Sequence, residues 1–310
     1  MSSQITTAFV QQYRSEVFHL SQQKGSRLQM CVRNETQKSE SQFFDRLGAA
    51  TAQVKTSRHS DTPQIDSAHS RRRNTLADYE WADLVDKEDL RRMLQDPAGD
   101  YAMAAAWAMG RAKDDVIIAA MDGSAYGGVN GGTAVAHPNS QKYCFNNATT
   151  EKDVNVLGLR AIKKKFDQAD VDESIPKYGA INASGLANLL GETEVTSSDY
   201  NTVKALVQGD VDSFMGFEFK RTERLVAQSG ALIATFATGV VGAGSDDVDG
   251  SRKSLFWAKD GVMLATSADI VTEIDRRNDK SYSTQVYVSM GIGATRLEEE
   301  KVVVGFSAEA

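Results

Sequence analysis

The pattern of hydrophobic and polar positions predicts one unusually long helix in the first half of the chain. An Asp followed by a Pro opens the stretch 96–121, where the Asp can cap a helix end and the Pro fits its first turn. Roughly 25 residues of mostly strong helix formers, at about 1.5 Å each, give a rod about 37 Å long. Its many alanines allow other backbones to approach closely, and we expect Tyr101, Trp107 and Val116 to form the core beneath it. We interpret this helix as a spine on which other elements lie.

Helical spacing recurs in two further segments. The apolar positions are Phe9, Tyr13, Val17 and Leu20 in the first segment, and Val156, Leu159, Ile162 and Phe166 in the second. The first helix should end by Gly25, and a weak capping box of Thr150 and Asp153 precedes the second. Shorter helices are predicted at "SQFFDRLG" and "ASGLANLL".

A long β-hairpin is predicted over residues 46–85. The segment "AATAQVKTS" is strand-like, "RHSDTPQIDSAHS" has the composition of an exposed turn, and "RRRNTLADYEWADLV" alternates polar and apolar positions. Two strands alone are marginally stable in water, so this hairpin implies support from elsewhere. Further strands are predicted at "KYGAIN", "FMGFEFKRTERL", "STQVYVSMGIGATRL" and "KVVVGF". Together these elements predict an α+β fold.

Composition places the chain among ordinary soluble proteins. With 310 residues, 41% hydrophobic and 25% charged, it can bury a sizeable core in one large or two medium domains. Only two cysteines, Cys31 and Cys144, argue against a disulfide scaffold and fit a reducing cytoplasm. The opening residues lack a secretory signal. The uncharged stretch 225–244 is diluted by polar residues and glycines, so we expect a buried strand or loop there and no membrane partner.

Charge is distributed unevenly along the chain. Residues 1–75 hold 11 Lys and Arg against 6 Asp and Glu, a balance of +5, and the rest holds 24 against 36, a balance of −12, which together give the net charge of −7. A basic leading segment on an acidic body predicts that the former lies against the latter, within a subunit or on its neighbour. A dedicated nucleic-acid binder would be basic throughout.

No local motif carries recognisable chemistry. The glycine-rich stretch 127–132 lacks the Lys of a phosphate-binding loop, and the acidic stretch 246–250 lacks the Glu that a calcium loop needs. Asp114 and Asp115 are adjacent on a helix, so their carboxylates should diverge. We therefore predict no catalytic residues, no cofactor and no metal, although an enzyme with a hidden site stays open as an alternative.

Several segments together resemble the major capsid proteins of tailed bacteriophages. They include "SRHSDTP", "SRRRNTLADYEWADLVD", "AAAWAMGRAKDDVIIAAMDG", "DYNTVKALVQGDVDSFMGFEFKRTERL" and "VYVSMGIGATRLEEEKVVV". The resemblance spans most of the chain from about residue 40 onwards. It implies the Hong Kong 97-type capsid fold, with an amino-terminal arm, an extended β-hairpin loop, a peripheral domain containing the spine helix, and an axial domain.

The resemblance also implies a domain plan. The arm would cover 1–45, the hairpin loop 46–85, the peripheral domain 86–176 and 281–310, and the axial domain 177–280. Arm and hairpin cannot bury their apolar residues alone, so we expect them to reach onto adjacent copies. For contacts between subunits we single out Arg71, Arg72, Arg73, Tyr79 and Trp81, with ordinary exposed arginines as the alternative for the first three.

The function implied is that of a non-enzymatic shell subunit. Copies would assemble through pentamers and hexamers in the host bacterial cytoplasm into the icosahedral virion capsid that encloses double-stranded DNA. Scaffolding, portal and decoration proteins would be further partners. Two alternatives stay open: an encapsulin-like bacterial compartment shell, and a soluble α/β enzyme.

Overall fold

The computed structural model describes residues 21–55, 57–59, 62, 64–86, 98–145, 154–191, 213–225, 252–267 and 270–307. By internal contacts the chain divides into two units. Unit 1 takes its described residues from Met1–Gly25, Asp78–Arg111 and Ala268–Met290, and unit 2 takes them from Ser26–Ala77, Ala112–Ser267 and Gly291–Ala310.

Three α-helices lie in the described part of the chain: α1 over Ala98–Asp122, α2 over Val156–Gln168 and α3 over Ala183–Gly191. Two short 3₁₀-helices cover Gln29–Cys31 and Asn139–Gln141. The predicted spine is therefore present as α1, at 25 residues. The predicted helix at "ASGLANLL" is present as α3.

The strands in chain order are β1 Arg33–Thr36, β2 Ser41–Leu47, β3 His69–Thr75, β4 Ala77–Val85, β5 Ala125–Gly127, β6 Thr133–Val135, β7 Lys142–Cys144, β8 Lys177–Ile181, β9 Ser213–Phe214, β10 Phe217–Arg221, β11 Arg252–Ala258, β12 Val262–Thr266, β13 Val271–Arg277, β14 Ser283–Arg296 and β15 Val302–Ser307. They form sheets of six, five and four strands.

A six-stranded sheet in the order β7-β15-β11-β8-β10-β9 is the centre of unit 2. Consecutive residues of β11 enter two different apolar clusters: Leu255 and Trp257 lie in one, and Phe256 and Ala258 in the other. The sheet is therefore buried on both faces. This explains why β15 reads as the continuous apolar run "VVVGF" instead of alternating with polar residues.

One face of this sheet is covered by α2 and α3. The predicted apolar face of α2 is confirmed, since Val156, Leu159, Ile162 and Phe166 are all buried in one cluster. The helix is capped by Asn155, whose side chain accepts a hydrogen bond from the Gly158 amide at 2.7 Å. The predicted capping box at 150 and 153 lies outside the described residues, and the observed cap is a different residue with the same chemistry.

The other face packs against α1 and the segment that precedes β1. Ile117, Ile118 and Met121 of α1 share a cluster with Leu28 and Val32, so the arm predicted over 1–45 is part of the subunit core from about residue 26 onwards. Both cysteines are buried in the same cluster as thiols, and burial raises the pKa of Cys31 to about 11.

The four-stranded sheet β2-β3-β5-β6 contains the hairpin and corrects two predictions. The segment "SQFFDRLG" is not a helix, because residues 41–47 pair antiparallel with β3, from Ser41 opposite Thr75 to Leu47 opposite His69. The hairpin strands therefore begin before residue 46, and the described residues of 49–57 contain no strand. The predicted second strand is divided at Leu76 into β3 and β4.

Within unit 1, strand β13 pairs antiparallel with the first half of β14, from Val271 opposite Ser289 to Arg277 opposite Ser283. Strand β4 also pairs with β14. Val286, Val288 and Met290 of β14 are buried. The second half of β14 belongs to unit 2, where it pairs with β12, and β12 in turn pairs with β1.

Some predictions fall on residues that the structure does not describe. These are the amphipathic helix at 9–20, the helix start at 96–97, the uncharged stretch beyond residue 225 and the acidic turn at 246–250. No helix among the described residues is long and apolar enough to cross a membrane.

Candidate functional site

The hairpin of β2 and β3 carries a long connection that lies at the surface. At its base, the Gly48 amide donates to the Ala68 carbonyl at 2.8 Å. The described residues between 49 and 66 are all exposed, and they include the apolar Val54, with 88% of its surface accessible, and Ile65. The connection is therefore open to solvent, where another molecule can reach it.

Arg71 and Arg73 lie on one face of the hairpin, because side chains alternate along a strand. The Arg71 guanidinium lies 5.6 Å from the centre of the Phe43 ring, and its Nε is 3.2 Å from an oxygen of Asp45. The Arg73 guanidinium lies 5.3 Å from the centre of the Tyr126 ring. This face presents half-exposed cations over aromatic rings, an arrangement suited to contact with another surface.

Arg72 points to the opposite face and is buried within the subunit, with 3% of its surface accessible. Its guanidinium pairs with the carboxylate of Glu299, and Arg46 and Arg296 approach the same carboxylate at 3.7 Å and 3.9 Å. Burial lowers the pKa of Arg72, and the charge of Glu299 opposes that shift. In the described subunit Arg72 therefore fastens the hairpin to the turn after β14.

Arg296 connects this anchor to the end of the spine helix. Its guanidinium is buried and donates to the carbonyl oxygens of Met121 and Gly123, each at 2.8 Å, and of Val135 at 3.2 Å. The last carbonyls of a helix have no partner within the helix, so a cation there satisfies them and complements the helix dipole. The base of the hairpin and the end of α1 are thus held by one arginine cluster.

His137 lies beside the same cluster. Its side chain is 4% exposed, and Nδ1 is 3.3 Å from the Pro138 carbonyl oxygen. Burial, followed by the charge of Arg296, lowers its pKa to about 4. A histidine in this position is held neutral at physiological pH.

Tyr79 and Trp81 lie on the same side of β4 in unit 1. The strand alternates between exposed and partly buried residues along most of its length, as the period of two predicted. Both aromatic residues are on the partly buried side, and the side that carries Asp78 and Glu80 is exposed.

The three residues predicted as the core of the spine are each only partly buried. Along α1 the buried positions are Ala105, Met109, Gly110, Lys113, Asp114, Ile117, Ile118 and Met121. They repeat at three and four residues, which defines one helix face. Tyr101, Trp107 and Val116 flank this face because the prediction weighed their size over their spacing. Lys24 lies 5.3 Å from the centre of the Trp107 ring.

The buried carboxylate of Asp114 binds the segment that precedes β1. It accepts hydrogen bonds from the Ser26 hydroxyl at 2.5 Å and from the amides of Arg27 and Leu28, each at 3.1 Å. Asp115 instead points outward and pairs with Arg224. The prediction that the two carboxylates diverge is confirmed.

Sequence reasoning missed Glu299 and Arg296, and it did not predict the hydrogen bonds that Asp114 accepts. Glu299 is 227 residues away from its partner Arg72, so no local spacing could have joined them. Among the described residues, no group of three His, Cys, Asp or Glu side chains is placed to hold a metal ion.

Comparisons with known proteins agree on one class. Residues 5–309 match the family model described as "Phage capsid protein". The capsid structure of cyanophage P-SCSP1u matches with a TM-score of 0.72 and 15% identity, covering 100% of this chain and 96% of that one.

Two further solved structures match over similar spans. The Ralstonia phage GP4 capsid has a TM-score of 0.72 at 10% identity, covering 97% and 96% of the two chains. The Mycobacterium phage Che8 structure has a TM-score of 0.66 at 15% identity, covering 96% and 97%. No curated protein sequence matches.

Proposed function

Because this chain belongs to the phage capsid protein family, we propose that its copies join into pentamers and hexamers, which close into an icosahedral shell around double-stranded DNA. The predicted role as the major capsid protein of a tailed-phage head is confirmed, as is the predicted Hong Kong 97-type α+β fold. The protein is a structural component of the virion capsid. Neither an encapsulin-like compartment nor a soluble enzyme finds support in these matches.

The observation that carries the assembly proposal is the hairpin. Its described loop residues are exposed, and its outward face presents Arg71 and Arg73 over aromatic rings. We assign to Arg71, Arg73, Tyr79 and Trp81 contacts with adjacent subunits. The buried pairing with Glu299 gives Arg72 the separate task of fixing the hairpin to its own subunit. Head-to-tail contacts of this kind between identical chains close into rings.

We propose the domain plan that the resemblance implies. An arm over 1–45 would precede a hairpin loop over 46–85, a peripheral domain over 86–176 and 281–310, and an axial domain over 177–280. Leu28 and Val32 pack in the core of unit 2. We therefore assign contacts with an adjacent subunit only to the arm residues that precede them.

The remaining partners follow from the role of a shell. We propose assembly in the host cytoplasm with scaffolding, portal and decoration proteins, and no enzymatic activity. The net charge of −7 supports a shell that encloses DNA without binding it tightly, because like charges repel across the inner surface.

Electron microscopy of the expressed chain tests this proposal. The native chain should form closed particles with fivefold and sixfold clusters. The double variant Arg71→Glu/Arg73→Glu should give soluble subunits with a native circular dichroism spectrum that do not close into shells. The variant Arg71→Lys/Arg73→Lys retains both charges and should assemble. Normal particles from the glutamate variant would remove the argument for these two residues.

A further inference from the structure

The outer face of the sheet β4-β14-β13 in unit 1 is strongly acidic. Residues opposite each other in an antiparallel pair share a face, so Glu273 lies beside Tyr287, and Asp275 beside Gln285. Tyr287 donates to a carboxylate oxygen of Glu80 at 3.3 Å, which places the exposed side of β4 on this same face. We call the face that carries Asp78, Glu80, Glu273 and Asp275 the outer sheet face.

These four carboxylates are not neutralised within the subunit. Among the described residues, the side chains of Asp78, Glu273 and Asp275 form no hydrogen bond or ion pair, and the nearby cation Arg277 donates to both oxygens of Asp279 at 2.8 Å. Natural surfaces usually mix both signs of charge. Four carboxylates without an ion pair, beside the single cation Arg277 that Asp279 already binds, instead set up a negative field that favours a cationic partner.

The shape and composition of the outer sheet face also suit a docked element. Glu273, Asp275, Arg277, Gln285 and Tyr287 line a depression of about 320 Å³, and there Arg277 also donates to the Gln285 side-chain oxygen at 2.8 Å. Leu84 and Val271 each have 44% of their surface exposed, and by the alternation of their strands they lie on this face. These two side chains add exposed apolar area at the border of the charged centre.

The complementary surface in this chain is the solvent side of α2. Arg160, Lys163 and Lys164 are exposed there, at spacings of three and four residues that place them on one side of a helix. None of the three forms an ion pair with another described residue. Leu157, with 68% of its surface exposed, lies on the same side. We call these four residues the basic helix face.

We propose that the outer sheet face of one subunit binds the basic helix face of α2 in a second copy of this chain. The proposal rests on the assembly function above and adds a contact to that of the hairpin. Charge favours α2 as the occupant, because α2 holds four Lys and Arg against one Asp, a balance of +3. The hairpin loop 48–68 holds two Lys and Arg against two Asp, a balance of zero.

The contact is head-to-tail, because it joins two different surfaces of the same chain. Each copy offers one acidic face and one basic face, so the contact can repeat from copy to copy around a ring. A single exposed ion pair stabilises little. Several pairs acting together give a contact that weakens as salt screens the charges and that also speeds encounter between copies.

Charge reversal on each surface, followed by reversal of both, tests the contact. The first variant is Glu273→Lys/Asp275→Lys, the second is Lys163→Glu/Lys164→Glu, and the third combines all four changes in one chain. A control, Thr272→Lys/Ile274→Lys, adds positive charge to the opposite face of the same strand. The measurement is the subunit concentration at which half of the chains sediment as particles, with circular dichroism as a check on folding.

Each of the first two variants should raise this concentration by at least about tenfold. The combined variant should return it close to the native value, because the two surfaces again carry opposite charges. Loss of particles from the native chain would contradict the assembly function itself. Native assembly together with normal assembly of the first variant would overturn the docking proposal alone.

A different rescue would reassign the occupant. If Lys55→Glu/Arg58→Glu restored assembly to the first variant and Lys163→Glu/Lys164→Glu did not, the outer sheet face would bind the hairpin loop of the second copy, and the assignment to α2 would be wrong.

Discussion

Strand β11 buries Leu255, Phe256, Trp257 and Ala258 one after another, whereas no residue of strand β2 in the hairpin is fully buried. Both strands belong to unit 2. The first is covered on both faces by its own chain, and its stability is therefore complete within the subunit. The second has one face fixed by an arginine cluster and another face open. The difference separates residues that make the subunit fold from residues that are available to join subunits.

The largest expected effect is in the six-stranded sheet. Trp257 is fully buried, and its Nε1 donates to the Cys31 carbonyl at 2.9 Å. Trp257→Ala should lower the free energy of unfolding by about 4 kcal/mol, through lost burial and a cavity. That is a large share of a typical total of about 5–15 kcal/mol.

Denaturant unfolding of unassembled subunits measures this effect. Phe43→Ala in the hairpin is the matched aromatic control, because the Phe43 ring is partly exposed. We expect Phe43→Ala to lower the free energy of unfolding by less than about half as much as Trp257→Ala does. Equal losses for the two variants would erase the distinction between the two regions.

The next effect distinguishes the two faces of the hairpin itself. Arg72→Ala should lower the free energy of unfolding by about 3 kcal/mol, because it removes a buried side chain together with its ion pair to Glu299. Arg71→Ala, one residue earlier, breaks a pair whose side chains are 42% and 73% exposed. Ion pairs that are this exposed to water contribute at most about 1 kcal/mol to the free energy of unfolding.

Thermal unfolding of the two single variants compares them directly. Arg71→Ala should leave a stable subunit with a lower particle yield than the native chain. A stable Arg72→Ala subunit would mean that Glu299 does not fasten the hairpin.

Much of the fold could be predicted, because regular elements have local patterns. The spine α1, the apolar face of α2 and strands β14 and β15 follow from period and propensity alone. Strand β2 could not be recognised, because "SQFFDRLG" has no clear period and becomes a strand only by pairing with β3. Which strand pairs with which is decided by contacts between distant parts of the chain, and local propensity yields to them.

For the candidate site, the sequence predicted the segment but not the role of each residue in it. The run Arg71, Arg72 and Arg73 was recognised as a charged strand, yet the sequence cannot tell which of three adjacent arginines faces inward. Strand alternation requires that the middle one differ from its neighbours. The direction was decided by Glu299 and Arg296, which the fold brings to the inner side from the other end of the chain.

The smallest expected effect concerns the inner side of the hairpin base and depends on pH. His137 has its pKa lowered from 6.5 to about 4, so between these values the unfolded chain binds more protons than the folded one. The contribution of His137 to the free energy of unfolding is therefore fully present above pH 6.5 and is lost as the pH falls towards 4. Between pH 7 and pH 5 the loss from this residue should be about 2 kcal/mol.

Denaturant unfolding at these two pH values measures the loss, and His137→Gln should reduce it because glutamine does not titrate. His69→Gln is the control, since it replaces an exposed histidine elsewhere in the hairpin. The inner side of the hairpin base would then share the property that distinguishes the six-stranded sheet, a stability set by burial within the subunit. If native protein and His137→Gln lost stability equally on acidification, other groups would govern the acid response, and the anchor would be as open to water as the outward face.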